Sequence, residues 1–316
     1  MDAPLLLIDA ASLYFRAYYG VPESITAPDG TPVNAVRGFT DMLARLIGLR
    51  RPSRLVACLD LDWRPAFRVA AIASYKAHRV AERTGPGAPD VEAVPDTLRP
   101  QLPVILALLA AAGLATAGAY GYEADDVIGT LAARERGDPV EVVSGDRDLF
   151  QVVRAQPTPV RVVYVARGLA KAEVIGPGEL ASRYGLPETG VGPGYADLAA
   201  LRGDPSDGLP GVPGIGEKTA ARLISQFGSV EGLLAALEDP QSALAPGLRT
   251  RLQAAREYLE RAPTVVRVVT DAPARQDRDD TLPPSPVDPA ALTTLQRTWG
   301  LGSSVDRLLA ALQARR

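Results

Sequence analysis

The chain has 316 residues, 47% of them hydrophobic and 22% charged, with a formal net charge of −3. That balance supplies enough apolar mass for a sizeable core and excludes disorder as the main state. A single cysteine, Cys58, excludes a disulfide framework and any thiolate metal cluster, and a single histidine, His78, excludes His-rich zinc sites.

Leu5 to Ile8 is a short apolar run that stops at Asp9, with no basic stretch ahead of it, so it predicts a buried strand rather than a secretory leader. A helix is predicted over Val36 to Leu49, a second strand over Leu55 to Leu59, and a mobile loop over Val80 to Pro95. Leu102 to Tyr122 carries no charge for 21 residues, long enough to cross a bilayer. Pro103, Gly113 and Gly118 divide it, and a helix over Pro100 to Ala112 followed by a short strand explains it better. Further on, Glu123 to Arg136 fits a helix, Val140 to Val143 a strand, Asp148 to Arg154 a helix and Arg161 to Val165 a strand. Strands alternating with helices predict an α/β fold with a mainly parallel sheet, in a chain expected to be cytoplasmic and without a membrane span. Residues 177–216 are rich in Gly and Pro, and helical segments follow at Glu217 to Phe227, Val230 to Leu237 and Pro246 to Arg261, suggesting a small helical second domain. Asp271 to Pro289 reads as a polar surface connection, and Pro289 to Gln313 as closing helices.

Charge is unevenly spread. Ten Lys/Arg and four Asp/Glu lie between Arg37 and Arg83. Nine of the chain's 37 acids sit in a few tight motifs, which leaves the remainder net basic against 34 Lys and Arg. An acidic focus in a basic chain suits a polyanion held against cations, while solvated surface arginines fit the same numbers.

Asp9, Asp60, Ser144 and Asp146 fall just past predicted strand ends, where open α/β sheets place ligands. Glu123, Asp125 and Asp126 put three carboxylates at a predicted helix start, either complementing the helix dipole or facing a cation. Asp146 and Asp148 add two at a strand-to-helix turn, and Asp204 and Asp207 two more in Gly203-Asp204-Pro205-Ser206-Asp207. Oxygen donors of this kind suit Mg²⁺ or Mn²⁺, and seven to nine of them suit a pair of metals used for in-line displacement at phosphorus. Gly211-Val212-Pro213-Gly214-Ile215-Gly216-Glu217-Lys218-Thr219 is a glycine-rich turn opening a helix, either a phosphate-gripping hairpin or a plain interhelical turn. Lys76 and Arg79 offer contacts to a scissile phosphate, Tyr75 a ring to stack on a base, and Arg16 a further clamp.

Together these motifs resemble the bacterial 5′-nuclease family, which includes the 5′-exonuclease domain of DNA polymerase I and stand-alone flap endonucleases. The likeness runs in order through Leu-Ile-Asp9, Leu-Asp60, Tyr75-Lys76-x-His78-Arg79, Gly-x-Glu123-Ala-Asp125-Asp126, Ser-Gly-Asp146-Arg-Asp148, Gly-Asp204-Pro-Ser-Asp207 and the Gly211 to Thr219 turn. The resemblance implies a PIN-like core over 1–170 with a helical arch at about 64–100. It further implies a helix-three-turn-helix subdomain over 171–263 that binds duplex backbone, with a K⁺ ion, and a C-terminal helical segment over 264–316 packing back on the core. By the same resemblance Asp9, Asp60, Glu123 and Asp125 hold a first metal, Asp125, Asp146, Asp148 and Asp207 surround a second, and Asp126 and Asp204 are outer-shell or third-site ligands. Gly211, Val212, Gly214, Gly216, Lys218 and Thr219 would contact DNA. The expected substrate is DNA with a 5′ flap or 5′ end, including RNA primers, cut by a monomer working with a DNA polymerase and ligase, with the Arg37 to Arg83 region guiding the single strand. Two departures stand out: Gly208 replaces the family's usual Asn, and Val80 to Pro95 is longer than the usual connection. The rival readings are a PIN-like ribonuclease and a structure-specific DNA-binding protein without catalysis.

Overall fold

The structure is a computed structural model that describes residues 3–82 and 90–314. The chain opens with β1 (Leu5–Asp9), whose alternate side chains point to opposite faces. Leu5 and Leu7 join one core cluster, Leu6 and Ile8 the other, so the strand is apolar throughout because both faces are covered. α1 (Ala10–Gly20) and α2 (Asn34–Arg50) follow, then β2 (Arg54–Cys58), which lies parallel to β1. After α3 (Ala66–Ala71) come a small antiparallel pair, β3 (Val80–Glu82) and β4 (Val91–Glu92), then α4 (Gln101–Ala112) and β5 (Ala115–Gly118). α5 (Ala124–Arg134), β6 (Val140–Ser144), β7 (Val160–Tyr164) and β8 (Glu173–Ile175) complete this part of the sheet.

The seven-stranded sheet has the order β8-β7-β6-β1-β2-β5-β9, with β9 formed by Arg275–Gln276. The five central strands are parallel and the two edge strands antiparallel. β1 has β2 on one side and β6 on the other, so the chain reverses its direction of travel across the sheet there. Such a switch point opens a crevice beyond the strand C-termini.

α6 (Pro177–Tyr184), α7 (Val191–Arg202), α8 (Glu217–Phe227), α9 (Val230–Glu238), α10 (Pro246–Ala254) and α11 (Arg256–Val266) share one core cluster with β6, β7 and α5. The opposite sheet face packs against α1, α2 and α4, together with α12 (Pro289–Thr298) and α13 (Ser303–Gln313). Among the described residues no helix is long and apolar enough to cross a membrane, and the uncharged 102–122 stretch is α4 followed by β5.

Several expectations are corrected. The helix predicted over Asp148 to Arg154 is a 3₁₀ turn over Asp148–Val152, and the one predicted over 246–261 breaks at Ala255 into α10 and α11. The Gly- and Pro-rich 177–216 stretch contains α6 and α7, because Pro177 sits at the start of its helix and Pro193 in the first turn, where no amide partner is lost. The arch region holds only the six-residue α3, a 3₁₀ turn at Ala77–Arg79 and the β3–β4 ribbon among the described residues. The rest of the predicted 80–95 loop, residues 83–89, lies outside them.

Candidate active site

β1 ends on Asp9, which caps α1 by accepting a hydrogen bond from Ser12 N (3.0 Å). Its other oxygen accepts from Ser144 Oγ (2.6 Å), at the end of the neighbouring β6. Ser144 Oγ also accepts from Asp146 N (2.9 Å), and Ser12 Oγ from Gly145 N (2.8 Å). Two serines therefore stitch the C-termini of β1 and β6 together and fix where Asp9 and Asp146 stand. Asp60, just past β2, accepts from Ala124 N (2.7 Å) and so ties the third strand end to the first turn of α5, which carries Asp125.

These ends open on a cleft of about 850 Å³ lined by Asp9, Asp60, Glu123, Asp125, Asp146 and Asp204. Lys76, Arg79, Arg16 and Arg147 stand on its walls. Asp148 and Asp207 line a smaller adjoining cavity together with Glu123, Asp125 and Asp204. The structure thus brings eight of the nine nominated acids to one place, on segments far apart in sequence.

Packing so many carboxylates together shifts their proton affinity. Burial pushes the Asp9 carboxyl up to about 7 against its hydrogen bonds from Ser144 and Ser12, with the charges of Asp60 and Asp146 adding to the rise. Asp125 and Asp148 are raised well above the usual carboxylate range, first by burial and then by neighbouring acids, and Asp146 is raised from the same leading cause. Oδ1 of Asp148 is buried without a hydrogen-bond partner. Among the described residues no three such side chains already form a metal-binding cluster. Charged carboxylates facing one another across a cleft stand apart until a cation offsets their repulsion. The buried, unsatisfied Asp148 oxygen and the all-oxygen donor set fit hard divalent cations such as Mg²⁺ or Mn²⁺.

The ninth acid is different. Asp126 is fully buried and takes two hydrogen bonds of 2.7 Å from Arg68, plus one from Val269 N (2.8 Å). Asp126 is buried as an ion-pair partner of Arg68 and does not line the cleft, so it stands behind Glu123 and does not face the site directly. Arg68, on α3, also donates to Glu123 Oε2 (2.5 Å) and to the carbonyl of Val265 (2.9 Å), so it locks α3, α5 and the end of α11 together. Nothing in its sequence context separates Arg68 from the surface arginines around it; only the fold reveals it.

Glu123 has three partners. Lys76 Nζ pairs with it, and the Tyr75 hydroxyl donates to it at 2.8 Å, alongside the bond from Arg68. Burial opposes the charge on Lys76, but the Glu123 carboxylate overrides that and holds the amine's proton affinity well above normal. The Tyr75 ring is 3% exposed, so it cannot stack on a base as the sequence suggested; its hydroxyl orients Glu123 instead. Arg79 Nη2 donates to Asp207 Oδ1 (2.9 Å) and to the Ser206 carbonyl (2.9 Å). Arg16 lies against Gly145 in the cleft wall, and its Nε is buried without a partner.

Among the described residues the basic 37–83 region does not form one continuous surface. Arg54 begins β2 at the sheet end opposite Asp60 and pairs with Glu135, Asp138 and Asp280, while Arg50 pairs with Glu141. Arg64 and Arg68 are buried in pairs of their own. Among the described basic residues of this stretch, Lys76 and Arg79 line the cleft.

Between α7 and α8 the chain folds back on itself. Gly203 and Gly211 approach so closely that a Cβ on Gly211 would stand 2.4 Å from the Arg202 carbonyl. Val212 and Ile215 are buried and anchor the turn, Gly211 and Gly214 take left-handed φ of 64° and 76°, and Gly216 precedes α8. Lys218 is exposed on the first turn, whose free amides favour an anion. Val212 therefore offers backbone but no side chain to a ligand. Arg251 of α10, not singled out from sequence, lies over Gly214.

Two family models cover most of the chain: a 5′-3′ exonuclease N-terminal resolvase-like domain over residues 4–185 and a 5′-3′ exonuclease C-terminal SAM fold over 192–290. A 5′-3′ exonuclease of Mycobacterium tuberculosis is 59% identical over 313 residues, 99% of this chain and 98% of that protein. Among solved structures, T5 5′-exonuclease with zinc ions bound aligns with a TM-score of 0.62 at 18% identity, covering 99% of this chain and 98% of its own. Human GEN1 in complex with Holliday junction DNA aligns with a TM-score of 0.64 at 16% identity, covering 99% of this chain and 72% of its own. With both family models matched in order and a relative this similar along its whole length, the chain belongs to the 5′-3′ exonuclease family.

Proposed function

We propose that this protein is a metal-dependent, structure-specific 5′-nuclease that hydrolyses DNA phosphodiester bonds at 5′ flaps and 5′ ends. The observation that carries the reading is the meeting of Asp9, Asp60, Glu123, Asp125 and Asp146 in one cleft whose walls bear Lys76, Arg79 and Arg16. Asp9, Asp60, Glu123 and Asp125 would hold one divalent cation, and Asp125, Asp146, Asp148 and Asp207 a second, with Asp204 behind them. Bound there, Mg²⁺ or Mn²⁺ supplies Lewis acidity and nucleophile activation for in-line displacement at phosphorus. T5 5′-exonuclease, which shares this fold, has been solved with divalent zinc ions bound, and that supports divalent-metal binding as such.

The protein's own side chains do the rest. Lys76 and Arg79, paired here with Glu123 and Asp207, would turn to the scissile phosphate when those acids serve as ligands, and stabilise the charge developing there. Arg16, with an unpaired buried Nε, grips an adjoining phosphate. The Gly211 to Thr219 turn, with K⁺ beside it, sets register on the duplex through backbone amides and Lys218 without reading bases. The protein works as a monomer in the cytoplasm on DNA made by a polymerase and sealed by a ligase, RNA primers included, with domain limits near residues 170 and 263.

The test is product mapping on a 5′-labelled DNA flap with Mg²⁺ or Mn²⁺, beside EDTA and an RNA flap of equal sequence. Cuts near the flap junction that need the metal are expected. Salt-sensitive binding without cleavage favours the non-catalytic binding protein, and cleavage of RNA alone favours the ribonuclease.

A further inference from the structure

The segment that carries Lys76 and Arg79 is seated on the turn that carries Asp207, and the seat is a glycine. Lys76 N donates to the Asp207 carbonyl (2.9 Å), and Ser74 Oγ to the Gly208 carbonyl (2.8 Å). From the other end of the segment, Arg79 Nη2 reaches the Ser206 carbonyl and Asp207 Oδ1. Tyr75 anchors the same stretch from beneath, packed in a small apolar cluster with Leu209 and Val265. At Gly208 φ is +72°, and a Cβ built there would stand 2.2 Å from the Ser74 carbonyl oxygen, far inside contact distance and against backbone rather than a movable side chain. Lys76 itself takes φ of +46°, an uncommon conformation for a residue with a side chain, so the segment adopts this course only while the seat holds it.

We infer that Gly208 is a positioning residue: its missing side chain is the socket in which Ser74 to Arg79 docks, setting Lys76 and Arg79 at their working distance from the carboxylates. The inference rests on the nuclease reading and deepens it. In this chain, whose backbone has settled around Gly208 in place of the family's usual Asn, a Cβ at position 208 would meet the Ser74 carbonyl and displace the segment that carries Lys76 and Arg79. A displacement of about 1 Å in such groups lowers a rate by up to about a hundredfold.

The experiment compares single-turnover cleavage of a 5′-labelled DNA flap, at saturating DNA and Mn²⁺, by the full chain and by Gly208→Ala and Gly208→Asn. Asparagine tolerates positive φ, so its variant separates overlap with Ser74 from backbone strain. Both variants are expected to lose rate by at least about tenfold while flap affinity measured in EDTA stays within about twofold of wild type. In a Lys76→Ala background the same substitutions should cost about threefold less, because part of what the socket positions has gone. Wild-type rates in folded variants, or an equal loss in the Lys76→Ala background, overturn the inference. Should both variants fail to fold, Ser74→Ala removes only the bond to the Gly208 carbonyl, and an unchanged rate there overturns it equally. A wild-type protein that binds the flap and never cuts it refutes the nuclease reading itself, a result none of the variant comparisons can mimic.

Discussion

Replacing Arg68 by methionine tests how the fold holds its acids. The side chain is 2% exposed and lies between Glu123 (4%) and Asp126 (0%). Methionine keeps much of the stem's volume and removes every guanidinium bond: to Glu123, to both oxygens of Asp126 and to the Val265 and Arg267 carbonyls. Glu123 retains Lys76 and Tyr75, whereas Asp126 retains only amide donors, from Val269 and Glu123. Deleting one partner of a buried ion pair costs about 3–5 kcal/mol, because it strands the other charge. At roughly 2–4 °C per kcal/mol for a large domain, Tm should fall by about 6–20 °C. Thermal unfolding followed by circular dichroism measures this. Adding Asp126→Asn should return part of the loss, since the stranded charge is then gone. A Tm within about 2 °C of wild type would refute the assignment of Arg68 and Asp126 as a structural pair.

Further outcomes follow from other parts of the molecule. Asp9 has a folded-state pKa of about 7, above an unfolded value of about 3.9. Folding therefore favours its protonated form: that contribution is full below the unfolded value and is lost as pH rises through about 7. A divalent cation must displace this proton, so the Tm gain from Mn²⁺ should be small near pH 5.5 and larger at pH 8, and a gain independent of pH contradicts it. Arg54→Gln removes an ion-pair cluster at the far end of the sheet, where the side chain is 30% exposed. It should cost about 1–3 kcal/mol in urea unfolding and leave both cleavage rate and the salt dependence of DNA binding unchanged; a weakened salt dependence would show instead that this region touches DNA. Arg251→Ala should weaken flap binding about uniformly across sequences, as loss of one phosphate contact does, and filter binding of several flap sequences checks this.

The parallel sheet was legible because its central strands are buried on both faces and so carry unbroken apolar runs, as in Leu5 to Ile8 and Val140 to Val143. The acids at the strand ends were legible from position alone, since Asp9, Asp60 and Asp146 each follow such a run. The edge strands β8 and β9 were not, being three and two residues long with no periodicity to detect. α6 and α7 were hidden by prolines and glycines that read as loop until their places in the first helical turns are known. Side-chain roles were least legible where burial decides them. Tyr75 looks like a stacking ring and Asp126 like a ligand until the fold encloses both, and Arg68 differs from its neighbours only in what surrounds it.

On the proposed function, the carboxylates at the sheet's C-terminal edge are the reactive centre. Single-turnover cleavage of a 5′-labelled flap by Asp146→Ala, with Tm recorded on the same samples, tests it most directly. Burial and the neighbouring acids Asp207 and Asp204 raise the proton affinity of Asp146, so removing it should leave Tm close to wild type while cleavage falls by about a thousandfold or more. Cleavage near the wild-type rate by a folded Asp146→Ala protein would contradict the claim.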